Sequence, residues 1–392
     1  MAESRAGRLL RTAESAAYWA AVAPAAACLP AALGYRIACL RGDWEYRSRP
    51  AKRAEIISNL RRLSEGESGP DDEQWLARQW FRFASCEAID VMRLRYRARP
   101  LRRLVEIRGR KHLEAALADG KGAILCSAHF GSYDCAFSLL GASGFPVTTI
   151  GRWQHNYTAS LSSAERRFWD LVQARRLRRH RRPNIEPWNG RVAVAARAAA
   201  VLRANEVLTI SIDAPPLEKD LARTVQVPFL GHRARLLPGA VRLARLTGAP
   251  LLMTFMYRTA DYRHQVLEIS APVQCPAEED AATAFARCAA EVSAAIRRSP
   301  AHWVYWASNG DLANLGLLSP DGDEAPATAP IQLTAQGFLH AGSADNVAAQ
   351  GRPVPAARSQ RLLLPRSRRQ AVRPSERQRH SEIGPPEVFH RL

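Results

Sequence analysis

Four short apolar runs limit what this chain can fold into more than any other feature. They are GAILCSA (122–128), FPVTTIG (145–151), VLTISID (207–213) and LLMTFMYR (251–258). Each is too short for a helix that buries its own core, and each is bounded by glycine, proline or charge, as strands are. Between them lie segments with helical spacing: KHLEAALADGKG, GSYDCAFSLLGASG, SSAERRFWDLVQARR, GRVAVAARAAAVLRANE and PGAVRLARLTGAP. LRRLVEIR (101–108), TVQVPFL and HQVLEISAPV read as further strands, and AATAFARCAAEVSAAIRRSP as a closing helix. Strands alternating with helices predict an α/β fold: a mixed, largely parallel sheet with flanking helices on both faces. Ligands of such sheets sit beyond the carboxyl ends of strands.

Residues 1–110 read as a helical region, with AKRAEIISNLRRLSEG and DDEQWLARQWFRFASCEAIDVMRL as helices, the second opening on acids that suit a helix N-terminus. Residues 16–35 carry no charge. They are long enough to cross a bilayer, but they are mostly alanine and include two prolines. An interfacial or buried helix suits them better, with Tyr18, Trp19 and Tyr35 at a headgroup boundary. Residues 111–318 form the α/β core. From 319 to 392 the chain is rich in Pro, Ala, Ser and Arg, a composition that predicts disorder.

The formal charge is +19, with 52 arginines against 4 lysines. The tail holds ten basic and seven acidic residues, so +16 stays with the first 319. Such a surface suits an anionic lipid, an acidic carrier protein or a nucleic acid. The densest stretch, RRFWDLVQARRLRRHRRP (166–183), belongs to no nucleic-acid recognition motif, so no nucleic-acid partner is expected. Seven cysteines without CxxC spacing argue against both a disulfide framework and a zinc site, and for a reducing compartment.

The candidate chemistry lies in GAILCSAHFGSYD, where His129 follows a strand and Asp134 opens the next helix. A carboxylate on one ring nitrogen fixes the tautomer and leaves the other nitrogen basic, able to take a proton from a hydroxyl that attacks a carbonyl. Gly131 between them removes a side chain, so backbone passes close to a substrate, and Ser132 lies beside it. Spacing alone carries little weight: His340 and Asp345 repeat it inside the tail.

The blocks around this motif resemble the bacterial lipid A biosynthesis (lauroyl/myristoyl) acyltransferase family, which includes relatives that acylate phosphatidylinositol mannosides. They resemble, more widely, the lysophospholipid acyltransferase superfamily with its His-x4-Asp/Glu motif. VEIRGRKHLEAALADGKGAILCSAHFG is similar to the lead-in, VQVPFLGHRARLLPGAVRLARLTGAPLLMTF to the Val-Pro-Phe-Phe-Gly block, and HWVYW to the closing Trp-x-x-Trp segment. The resemblance implies a glycerolipid acyltransferase-like fold at the cytoplasmic face of a bacterial inner membrane, peripheral or held by the N-terminal apolar segment. It implies acyl transfer from acyl carrier protein or coenzyme A to a lipid hydroxyl, without metal or other cofactor. His129 is then the general base and Asp134 its orienting acid. Arg152, after the second strand, and Asp213, the late-strand acid of LTISIDAPP, join Gly131 and Ser132 as substrate-binding residues.

Three departures weaken lipid A as the acceptor: Asp134 where the lipid A enzymes usually have Glu, Asp-Ala-Pro-Pro in place of Asp-Gln, and ASNGDL where they carry arginines. A polyketide or secondary glycolipid acyltransferase, and a non-enzymatic basic protein that binds membrane or nucleic acid, are the alternatives.

Overall fold

The computed structural model describes residues 13–14, 17–63, 69–96, 101–151, 183–187 and 190–318. All fall within one unit, residues 1–343. The tail from 319, the helix expected at 162–176, the basic stretch up to 182, and Arg152 lie outside the described residues.

The N-terminal region is helical. A π turn at Tyr18–Val22 leads into α1 (Ala23–Cys28), then α2 (Ala31–Ser48), α3 (Pro50–Leu63) and α4 (Pro70–Tyr96). Pro30 separates α1 from α2, because it has no N–H to continue the ladder and Leu29 before it is extended (ψ 163°). The alanine-rich run therefore makes two packed pieces rather than one long rod. Tyr18, Ala23, Ala26, Ala27, Tyr35 and Ala38 are buried together with Cys86, Ile89 and Met92 of α4. Among the described residues no helix is long and apolar enough to cross a membrane. α2 packs closely on α4 at Gly42, where a Cβ would lie 2.5 Å from the Cα of Arg82. Beside it Asp43 accepts paired hydrogen bonds from Arg78 and Arg82 at 2.7–2.8 Å.

The core is a six-stranded sheet in the order β1-β8-β7-β2-β4-β3. Its strands are β1 (Val105–Arg108), β2 (Ala123–Ser127), β3 (Val147–Ile150), β4 (Val207–Ser211), β7 (Leu251–Arg258) and β8 (Gln265–Val273). β7, β2, β4 and β3 are parallel, and β8 pairs antiparallel to β7. β5 (Val225–Phe229) and β6 (His232–Leu236) form a separate hairpin, closed by Leu230 and Gly231, both at positive φ. The remaining helices are α5 (Arg110–Ala118), α6 (Tyr133–Ala142), α7 (Arg191–Arg203), α8 (Gly239–Thr247), α9 (Ala281–Arg298) and α10 (Asn309–Asn314).

Each face of the sheet has its own core. Side chains alternate along a strand. Thus Ile124 and Cys126 of β2 pack with α3, α4, α7, α8 and α9, while Ala123 and Leu125 pack with α5 and α6. β2 and β7 are buried along their whole length, which explains their near-continuous apolar sequences.

The helical region is joined to the sheet by a buried ion pair. Asp90 of α4 has no exposed side-chain surface. It takes hydrogen bonds from Tyr35 and Ser132, both at 2.6 Å, and from the guanidinium of Arg258 at the end of β7. Arg258 also donates to the Tyr262 carbonyl at 2.8 Å. Asp90→Ala leaves the Arg258 charge buried without its partner, so unfolding free energy from urea titration should fall by about 3–5 kcal/mol. A loss under about 1 kcal/mol would show that the pair does not hold these parts together.

Candidate active site

Register places the central pair. β2 and β4 are parallel neighbours, with Ser127 opposite Ser211 as the last matched residues. Two residues further along each chain stand His129 and Asp213, side by side at the carboxyl ends of the strands. The Ile212 N–H bonds to the Ser127 carbonyl at 2.9 Å and carries the alignment past the strand ends.

Asp213, with no exposed surface, is the carboxylate on the His129 ring: Oδ1 lies 2.8 Å from Nδ1. Both its oxygens also accept from the His129 backbone N–H, at 3.0 and 2.9 Å, and Oδ2 accepts from the Trp303 indole N–H at 2.9 Å. The Tyr305 hydroxyl stands 3.1 Å from the same Nδ1. The carboxylate on Nδ1 is thus Asp213, reached from the neighbouring strand, where the spacing points to Asp134. Asp134, in the first turn of α6, acts on the ring through its charge. Asp213 is correspondingly a partner of His129 and turns no surface outward toward a substrate.

The loop between the motif residues is clamped from both sides. Phe130 forms an antiparallel bridge with Trp303, Val304 N–H bonds to the His129 carbonyl at 3.0 Å, and Gly131 N–H bonds to the His302 carbonyl at 2.9 Å. Gly131 sits at φ +57°, where a Cβ would lie 1.9 Å from the Met256 carbonyl oxygen. The backbone that passes close to this glycine is thus β7 of the protein itself. Ser132 directs its hydroxyl inward to Asp90, a structural bond where the sequence suggests a substrate contact.

His302 is buried in the protein and held through one ring nitrogen. Its Nε2 accepts from the Arg258 backbone N–H at 2.9 Å and its ring stacks on Phe130 with centroids 5.3 Å apart. Burial, and then the Arg258 charge, push its pKa down to about 3, so it stays neutral. His129 behaves oppositely. Burial works to lower its pKa, but the charge and hydrogen bond of Asp213, with the charges of Asp134 and Asp311, outweigh burial and hold it above the ordinary 6.5. With the proton on Nδ1 facing Asp213, Nε2 is left as the basic nitrogen. His129 retains 15% of its side-chain surface, so the ring can be reached from outside.

Register carries a signal for the Asp213 contact: aligning AILCSAH with VLTISID puts histidine opposite aspartate. Asp90 and Arg258 leave no such trace, since each lies far along the chain from its partner. Among the described residues no cluster of three or more His, Cys, Asp or Glu side chains is arranged to hold a metal ion.

The family model of bacterial lipid A biosynthesis acyltransferases matches residues 6–308. Phosphatidylinositol mannoside acyltransferases from two Mycobacterium tuberculosis strains are each 32% identical to the chain. One matches over 161 residues, covering 40% of this chain and 45% of its own length; the other matches over 170 residues, covering 42% and 48%. The chain thus spans about half the length of the curated relatives it matches.

A raised His129 pKa links stability to pH. Folding tightens proton binding, so the contribution is full below about pH 6.5, the unfolded value, and is lost as pH rises through the higher folded value. Wild type should lose stability relative to His129→Gln across that window in urea titrations at a series of pH values. Parallel curves for the two proteins would refute the raised pKa.

Proposed function

We infer that this chain, which belongs to the bacterial lipid A biosynthesis acyltransferase family, moves a fatty acyl group from a thioester to a hydroxyl of a lipid or glycolipid acceptor. The observation that carries this reading is the imidazole of His129, oriented by Asp213 through Nδ1 at the carboxyl end of the sheet. Nε2 takes the proton of the acceptor hydroxyl as its oxygen attacks the thioester carbonyl. The tetrahedral intermediate collapses, the carbon–sulfur bond breaks, and the imidazolium returns the proton to the leaving thiolate. The products are the acyl ester and a free thiol. Acyl carrier protein or coenzyme A supplies the donor, and no metal or further cofactor enters the balance. Arg152, outside the described residues, is the proposed partner of the oxyanion or of a phosphate.

The acceptor is proposed to be a glycolipid hydroxyl, in keeping with the mannoside acyltransferases named above. Where lipid A enzymes carry arginines, this chain places Asp311, whose charge reaches the His129 ring. Three carboxylates around the base favour a sugar hydroxyl over a phosphate on that side.

The lipid side of the reaction has a candidate surface on α2. Leu33, Leu40 and Trp44 are exposed at helical spacing, 61% in the case of Leu40, and Arg36 and Arg47 are exposed alongside them. The Arg41 guanidinium lies 4.4 Å from the Trp44 ring centroid. An apolar stripe flanked by arginines suits the surface of an anionic bilayer. The proposed attachment is therefore peripheral, through a face beginning near Leu33, while the alanine faces of residues 16–35 pack against α4.

Two experiments test the reading. Purified protein is given acyl-CoA and acyl-carrier donors with a bacterial lipid extract, and thiol release and labelled lipid are followed. His129→Ala should lower transfer at least about a hundredfold, and Asp213→Asn should lower kcat more than Asp134→Asn does; undiminished transfer by His129→Ala would exclude the mechanism. Separately, Leu40→Asp should weaken sedimentation with vesicles of phosphatidylglycerol and phosphatidylethanolamine about tenfold or more, because one leucine loses its burial. Unchanged sedimentation would remove α2 as the docking face.

A further inference from the structure

The pair His129–Asp213 is embedded in a segment that the reaction as written does not use. Residues 299–307 form two consecutive 3₁₀ turns, Pro300–His302 and Val304–Ala307, with Trp303 between them. Short turns of this kind project successive side chains about a third of a turn apart. Trp303 and Tyr305 thereby reach two different members of the pair from one strip of backbone. Both are fully buried. The Trp303 indole donates to Asp213 Oδ2 at 2.9 Å, and the Tyr305 hydroxyl stands 3.1 Å from His129 Nδ1. The strip itself is anchored to the motif loop through Phe130 and the His129 and Gly131 backbone, and the Trp80 indole donates to the Trp303 carbonyl at 3.1 Å.

These contacts have distinct chemical effects. With Oδ2 held by the indole, Oδ1 is the oxygen turned to the ring, and Nδ1 is the nitrogen that keeps the proton. An indole N–H also presents the positive end of a dipole to the carboxylate, which weakens its pull on the imidazolium. The Tyr305 oxygen lies where it can accept a share of the Nδ1 proton beside Asp213, and its negative end favours the imidazolium. We propose that Trp303 and Tyr305 are positioning residues that set the tautomer and basicity of His129, Trp303 through Asp213 and Tyr305 directly at Nδ1. That they serve catalysis rests on the acyl-transfer reading; that they govern the imidazole does not.

Among the described residues, the groups around His129 are Asp213 after β4, Tyr305 on the second 3₁₀ turn and Tyr133 on α6, with Asp134 on α6 and Asp311 on α10 acting through their charge. Removing the indole N–H leaves more of the carboxylate's charge to act on the ring, and removing the phenol oxygen withdraws an acceptor. The two changes should therefore move the His129 titration in opposite directions.

The test is ring-¹⁵N NMR of histidine-labelled full-length protein, with His129 assigned by its loss in His129→Gln. The wild type should show the Nδ1–H tautomer when neutral. Tyr305→Phe should lower the titration midpoint of His129, and Trp303→Phe should raise it, each by about half a pH unit or more, the size one hydrogen bond permits. A purely structural role would lower the urea midpoint without this opposition. If Trp303→Phe does not fold, Tyr305→Phe, which conserves the ring, decides alone: a downward movement supports the proposal and an unmoved midpoint overturns it. When both fold, movement in the same direction, or in neither, overturns it. The readout needs no donor or acceptor. If His129→Gln still transfers acyl groups, the catalytic reading fails while the NMR result stands on its own terms.

Discussion

A carboxylate without exposed surface persists only where donors replace its lost water, and Asp213 is the point on which this site turns. An isolated charge of this kind in an apolar interior is so unfavourable that it would take up a proton instead. Here the main-chain N–H and Nδ1 of His129 and the indole of Trp303 surround it. The requirement works in both directions. The carboxylate needs these donors in place of water, and by collecting them it joins the end of β2, the end of β4 and the segment after α9 at one place. The geometry of the His129–Asp213 pair and the closure of the fold are consequences of the same electrostatic demand.

A second buried charge repeats the principle a short distance along the loop. Asp90 gathers Arg258, Tyr35 and Ser132, and so ties α2 and α4 to the end of β7 and to the residue preceding α6. The four residues from His129 to Ser132 hang between these two acids. The main chain of 302–304 supports them on one side, and the Met256 carbonyl presses on Gly131. Such a loop has little freedom to follow a substrate. Its rigidity is of the kind that preorganised sites require, since a base displaced by an ångström loses much of its advantage.

How far the sequence foretells this depends on the range of the interaction. β2, β3, β4, β5, β7 and β8 follow from apolar runs, and α5 to α9 from helical periodicity, because those signals are local. β6 escapes notice, since HRARL has two arginines in five residues and half of a two-stranded hairpin faces water. His129 is visible as a residue after a strand. Its true partner is not visible from spacing, because Asp134 is five residues away and Asp213 eighty-four. Only the order in which strands join the sheet makes the second distance the short one. Gly131 and Ser132 have close partners within the protein as well. Small and polar residues beside a motif suggest a ligand, yet each answers to a neighbouring element of the protein, β7 in one case and α4 in the other.

Trp303 and Tyr305 come late in the order of synthesis relative to the strands they brace. A chain emerging from the ribosome has β2 and β4 well before it has the 3₁₀ turns. Until residues 303–305 arrive, Asp213 lacks its indole donor and the loop carrying His129 lacks the backbone that braces it. An incomplete chain therefore holds the histidine and the aspartate without the indole donor and the main-chain bonds that fix their geometry.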